Sequence, residues 1–192
     1  SKIETLAKKS KNNFVKAAAI KVLGRLVYFD YQNFFEKSIE SESNKVKASA
    51  LESLYYLNEE RALEKAKELP KSVKKAIAFP LAKMYFQKRE VSEMAFVASY
   101  IIQGMYLGKD KQSNQLFEKA FQWVAMSNDR RAYKNLLDDM ISKGIRYKQY
   151  NFDQKMIEMM RQMVREQELQ ANSNKKELIA LVNRALVQLV RI

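Results

Sequence analysis

The chain has 192 residues, 47% of them hydrophobic and 30% charged, which describes a folded globular protein with room for one domain or two small ones. It contains no cysteine and no histidine, so disulfides, thiolate chemistry, imidazole bases, Ser-His-Asp triads and zinc held by His or Cys are all excluded. The 35 basic against 22 acidic residues leave a net charge of +13, but the Lys and Arg are scattered along the chain, with no run of five or more. That pattern fits solvated helix faces better than a dense phosphate-binding patch, so nucleic-acid binding is the weakest reading of the charge.

Only 4 Gly and 2 Pro interrupt a chain rich in Ala, Leu, Lys, Glu, Gln and Met. These are the strong helix formers, and the expected fold class is all-α. No stretch approaches the roughly 20 apolar residues of a membrane span. Ser1 opens directly onto charged sequence without a signal-peptide core, which reads as the interior of a longer polypeptide.

In chain order, the first apolar stripe is Phe14, Ala17, Ala18, Val22 and Leu26, predicting a helix over about residues 12–28. Asp30 is a candidate cap for a second helix through Phe34, Phe35 and Ile39. The next pair begins near Asn44, carries Val46, Ala50, Leu54 and Leu57 on one face, breaks at Asn58 and ends before Pro70. A third begins at Ser72 with Val73, Ile77, Leu81 and Tyr85, and Pro80 predicts a kink or a late start.

These pairs repeat. "VKAAAIKVL" at Val15 to Leu23 returns as "VKASALESL" at Val46 to Leu54 and more loosely as "VKKAIAFPL" at Val73 to Leu81, at spacings of 46 − 15 = 31 and 73 − 46 = 27 residues. Such a period is close to the length of a helical hairpin in a solenoid. The expectation is a HEAT-like α-solenoid of antiparallel hairpins forming a single domain over residues 1–192. Its repeats run over roughly 12–43, 44–70 and 71–90, with Val15, Ala18, Ala19 and Leu23 as packing residues and less regular helices over 91–192.

Residues 91–107 predict one long helix, apolar nearly all round and closed by Gly108, and Gly144 predicts the stop of a later one. Two amphipathic helices finish the chain. One carries Met156, Ile157, Met160, Met163 and Val164; the other, capped by Ser173 or Asn174, carries Leu178, Leu181, Val182, Ala185, Leu186 and Leu189.

Few residues invite a chemical reading. Glu59/Glu60 and Asp138/Asp139 are adjacent carboxylates, which point about 100° apart on a helix and so do not converge. They read as first-turn charge and as a solvated face, respectively. Met156, Met159, Met160 and Met163 could form an adaptable docking stripe, although core is the commoner use. Arg146, Tyr147, Lys148 and Tyr150, with Phe152, make a basic and aromatic connection of the kind that grips a peptide or a partner. They are the candidate contact residues. No catalytic, metal-ligating or cofactor-binding residue is identified.

The repeats "NNFVKAAAIKVLGRLVYFDYQNFFEKSIESES" and "NKVKASALESLYYLNEERALEKAKELP" resemble the C-terminal HEAT-like helical domain of aminopeptidase N type zinc metallopeptidases. This resemblance implies a non-catalytic domain that caps the active-site cleft and controls peptide access. Its partners would be the parent protein's own catalytic domain and the peptide substrate, with zinc held in that catalytic domain. The family's H-E-x-x-H helix and its Gly-rich exopeptidase motif are both missing from this chain, so no catalytic residue carries over. The alternatives are a free-standing HEAT-like interaction scaffold and, last, a basic helical-repeat protein that holds nucleic acid.

Overall fold

A computed structural model describes residues 1–106 and 111–191. Among the described residues the chain is all-α, with thirteen α-helices, three short 3₁₀ turns and no strand. Leu107 and Gly108, expected to end a long helix, lie outside the described residues. The chain divides into two compact units, Ser1–Met84 and Tyr85–Ile192.

The first unit contains α1 (Lys2–Lys9), α2 (Asn13–Arg25), α3 (Gln32–Ile39), α4 (Asn44–Leu57), α5 (Glu59–Glu68), α6 (Lys71–Ala76) and most of α7 (Ala78–Gln87). α4 is its centre: α2, α3 and α5 all pack on it, and α1 packs on α2. Val46, Ala50, Leu51 and Leu54 of α4 are fully buried, as a helix covered on several sides requires. Against α4, α2 buries Ala19, Ile20, Leu23 and Gly24. The repeated positions Ala19/Ala50, Ile20/Leu51 and Leu23/Leu54 are thus buried in both of these packed helices.

Gly24 lets this layer close. A Cβ on it would overlap the Ser53 side chain and come within 2.8 Å of the Ser53 Cα, so only a glycine permits the approach. Beside it the Ser53 hydroxyl donates to the Ile20 carbonyl at 3.1 Å. The second helices are joined too, since the Arg61 guanidinium on α5 donates twice to Glu36 Oε2 on α3, at 2.9 and 3.2 Å, and Asn58 Nδ2 donates to Gln32 Oε1.

Several local expectations are corrected. The buried face of α2 is rotated from the one expected: Phe14, Ala18, Val22 and Leu26 are exposed, as is the repeat's Val15. The expected period was right but its phase was not, because the close contact at Gly24 decides which side faces α4. Asp30 caps nothing; it lies in a 3₁₀ turn, Phe29–Tyr31, that leads into α3. The N-cap of α4 is Ser43 rather than Asn44. Asn58 does divide α4 from α5, and its side chain accepts from the Arg61 N–H at 3.1 Å.

Pro80 acts through the carbonyl four residues before it. Proline has no N–H to offer Ala76, and its ring crowds that carbonyl, so α6 ends at Ala76 and Ile77 leaves helical geometry before α7 begins. Ser72 lies inside α6 rather than capping it.

The second unit contains α8 (Met94–Ala98), α9 (Ile101–Tyr106), α10 (Lys111–Ala125), α11 (Arg130–Arg146), α12 (Phe152–Leu169) and α13 (Lys175–Val190). α11 is central, in contact with each of the other five. The single helix expected from residue 91 is instead a 3₁₀ turn at Val91–Glu93 followed by α8 and α9. Its interruption has a local cause. The Ala95 carbonyl accepts from the Ser99 hydroxyl at 3.2 Å and from Asn135 Nδ2 at 2.8 Å, while the Ser99 and Tyr100 N–H groups turn to Phe96 and Val97.

Gly144 does not stop α11, which runs on to Arg146. It is a contact point, where a Cβ would reach 3.0 Å from Leu189 Cδ2 of α13. Nor does Ser173 or Asn174 cap α13 through its side chain: Asn174 is the N-cap but makes no such bond.

The end of α2 offers a test of local strain. Val27 follows the helix with φ 53°, a left-handed conformation that is sterically poor for a β-branched residue, and its side chain is exposed. Val27→Gly is expected to stabilise the chain by about 1 kcal/mol, because the strain relieved exceeds the backbone freedom gained by the unfolded state. Urea denaturation measures it, and a less stable variant would show that Val27 makes contacts worth more than its strain.

Candidate functional site

The candidate contact residues lie at the connection between α11 and α12. Arg146 is the last residue of α11, Tyr147 follows it, and Lys148–Tyr150 form a 3₁₀ turn before Asn151 adopts a left-handed conformation at φ 56°. Only two of the four come together: the Arg146 guanidinium lies 5.6 Å from the Tyr147 ring centroid. Tyr147 is half-buried and meets Phe152 edge to face at 5.8 Å, while Phe152 meets Tyr106 at 5.1 Å. Tyr147 therefore staples the connection to the unit. Arg146, Lys148 and Tyr150 remain exposed.

The methionines expected as core or docking stripe are core. Met156, Met160 and Met163 are fully buried and Met159 nearly so. The two adjacent carboxylates separate by environment. Asp138 is exposed, as read, but Asp139 is half-buried and paired with Lys143 one turn on, so it belongs to no solvated face. Among the described residues, no three carboxylates gather closely enough to hold a metal ion.

A groove that the sequence did not disclose lies between α11 and α13, with a volume of about 420 Å³. The two helices run parallel. Arg130 Nε is 2.7 Å from Glu177 Oε1 at their N-terminal ends, and Gly144 meets Leu189 near their C-terminal ends. Leu137, Ile141, Leu181 and Ala185 make an apolar floor, with Arg131, Lys134 and Arg184 along the rim. Asp138 is the one carboxylate that lines it. Half of this groove lies in "DRRAYKNLLDDMI" and half in "LVNRALVQ", and periodicity cannot reveal that the two helices lie side by side.

A hydrogen-bonded knot ties α11 and α12 to the end of α10. Gln167 of α12 is fully buried, and its Nε2 donates to the carbonyls of Ala125 and Ser127, each at 2.8 Å. The Tyr133 hydroxyl of α11 donates to the same Ala125 carbonyl, and Asn172 Nδ2 donates to Gln167 Oε1 at 2.7 Å. The carbonyls that α10 leaves unpaired at its C-terminus are thereby satisfied inside the protein. Burial pushes the Tyr133 hydroxyl well above the usual phenol range, so it stays protonated and donates.

Against known proteins, the chain matches no family model and no curated sequence. No described helix is long and apolar enough to cross a membrane.

Two measurements test this geometry. Gln167→Leu keeps the volume but abandons the Ser127 carbonyl, and is expected to lower stability by about 2 kcal/mol; a neutral result in urea denaturation would mean that water satisfies these carbonyls. The second concerns Asp139, whose carboxyl burial raises above its ordinary value while Lys143 opposes the shift. A native state that takes up this proton before the unfolded chain does gains stability as pH falls through the folded-state value and loses it as pH rises. On acidification from neutrality, the natural chain should therefore gain stability relative to Asp139→Asn. A gap between the two that stays constant, or moves the other way, contradicts the assignment.

Proposed function

We infer that this chain is a non-catalytic helical-repeat domain of an aminopeptidase N type zinc metallopeptidase, whose role is to cap the catalytic cleft and control peptide access. One observation carries the reading. In the first unit the leading helices of two successive pairs, α2 and α4, pack on one another with the repeated residues Ala19/Ala50, Ile20/Leu51 and Leu23/Leu54 buried, while the following helices α3 and α5 are bridged by Arg61 and Glu36. Like helices of successive pairs lying beside one another is one feature of a HEAT-like solenoid, and it supports the resemblance carried by the same stretches of sequence.

The chemistry agrees with a supporting role. Without histidine or cysteine the chain would contribute surfaces rather than reacting groups, and zinc would belong to the catalytic domain. Exposed side chains such as Arg146, Lys148 and Tyr150 are suited to contact a peptide or that domain. A second reading, a HEAT-like scaffold acting on its own, is favoured by the groove between α11 and α13, a binding surface that needs no catalytic neighbour.

The purified 192-residue chain is expected to show no turnover of an aminoacyl reporter, with or without added zinc. Measurable zinc-dependent turnover would overturn the non-catalytic reading. The coding sequence preceding Ser1 separates the two remaining possibilities: an H-E-x-x-H helix in the same reading frame supports the peptidase, and its absence leaves the scaffold.

A further inference from the structure

We propose that the groove between α11 and α13 is a docking site for an acidic amphipathic helix of a partner protein. The inference stands apart from the aminopeptidase reading, since it rests on the second unit alone. The groove is lined along α11 from Arg130 to Ile141 and along α13 from Leu181 to Gln188, about 16 Å and about 10 Å at the helical rise, which is the length of two to three turns. Its floor takes apolar side chains at the i, i+3, i+4, i+7 spacing of one helix face.

The rim selects the charge of the occupant. Arg131 and Lys134 on one side and Arg184 on the other face Asp138 alone, and Arg130 is engaged with Glu177 at the groove's end. Carboxylates flanking an apolar stripe would meet cations on both sides, whereas a basic helix would meet like charge. Arg131 lies in the first turn of α11, which holds no acidic residue although the helix dipole there favours negative charge, while Arg130 is paired with Glu177 and Lys134 lies in the second turn. Unlike Arg130, the residues Arg131, Lys134 and Arg184 enter no ion pair among the described residues, and an anionic partner would engage them.

Nucleic acid fits less well. No aromatic side chain lines the groove to stack a base, and its apolar floor offers nothing to a phosphate backbone.

The test uses the whole 192-residue chain and a fluorescein-labelled peptide of Leu, Ala, Glu and Gln, with leucines along one helical face and glutamates flanking them. Fluorescence anisotropy is expected to show saturable binding that weakens as salt is raised. Arg131→Glu with Lys134→Glu should weaken it by at least about tenfold, and Leu181→Asp should do the same through the floor. Melting curves of the double variant and of the natural chain separate lost binding from lost folding, since Arg131 and Lys134 are both exposed. Lys9→Glu with Lys11→Glu, an equal change of charge on the first unit, should leave binding unchanged.

Three results would overturn the proposal. The first is absence of binding. The second is equal binding of a peptide of the same composition with its apolar face scrambled, which would make the attraction mere charge. The third is tighter binding of a single-stranded RNA oligonucleotide that displaces the peptide and is lost in the same double variant, which would assign the groove to nucleic acid.

Discussion

How closely the helices approach one another is set by three glycines. Gly24 admits the Ser53 backbone of α4, Gly104 on α9 admits the Phe117 ring of α10, and Gly144 on α11 admits Leu189 of α13 and the Asp153 backbone of α12. A methyl group at Gly24 would meet backbone, and one at Gly104 would collide with a buried ring, so neither contact could widen without moving a whole helix. All three lie within helices at negative φ, where glycine weakens the helix itself, and the close contact is what offsets that weakness. The layer between α2 and α4 and the floor between α11 and α13 both depend on this constraint.

Glycine used in this way is not available for ending helices. The described positions with positive φ are Val27, Arg89 and Asn151, and none is a glycine. Asn tolerates the conformation. Arg89 ends α7 with paired bonds, its N–H to the Phe86 carbonyl at 3.0 Å and the Glu90 N–H to the Tyr85 carbonyl at 2.9 Å, in the manner of a Schellman cap. Its guanidinium then lies 4.1 Å from the Phe86 ring centroid and 5.4 Å from that of Trp123. The strained backbone is thus coupled to a stacking contact that glycine could not make. Val27 has no such compensation.

The sequence carried the helices well and their phases unevenly. In α4, α12 and α13 the apolar stripe is wide and the expected residues are largely those buried: Val46, Ala50, Leu54 and Leu57; Met156, Ile157, Met160 and Met163; Leu178, Val182, Ala185 and Leu189. In α2 both faces are apolar, so periodicity alone could not choose between them, and a steric fact from another helix decided it. The break in residues 91–107 was equally hidden, because the Ala95 carbonyl is drawn away by Asn135, forty residues on. Propensity is a local quantity, and these are events between helices.

The same limit explains why the groove was not legible while the connection at Arg146 to Tyr150 was. A basic and aromatic segment is visible in one line of sequence, whereas a groove between parallel helices assembles Lys134 and Arg184 from stretches separated by a whole helix and a turn. What a local reading can register is a residue that disobeys its own element, and α11 offers one such sign. Arg131 stands in the first turn of a helix whose dipole repels it, beside an Asp129 side chain that caps the N–H groups of Arg131 and Ala132. Unlike Arg130, which Glu177 engages, Arg131 has no ion-pair partner among the described residues, and the surface it lines with Lys134 and Arg184 becomes the place to look for a partner.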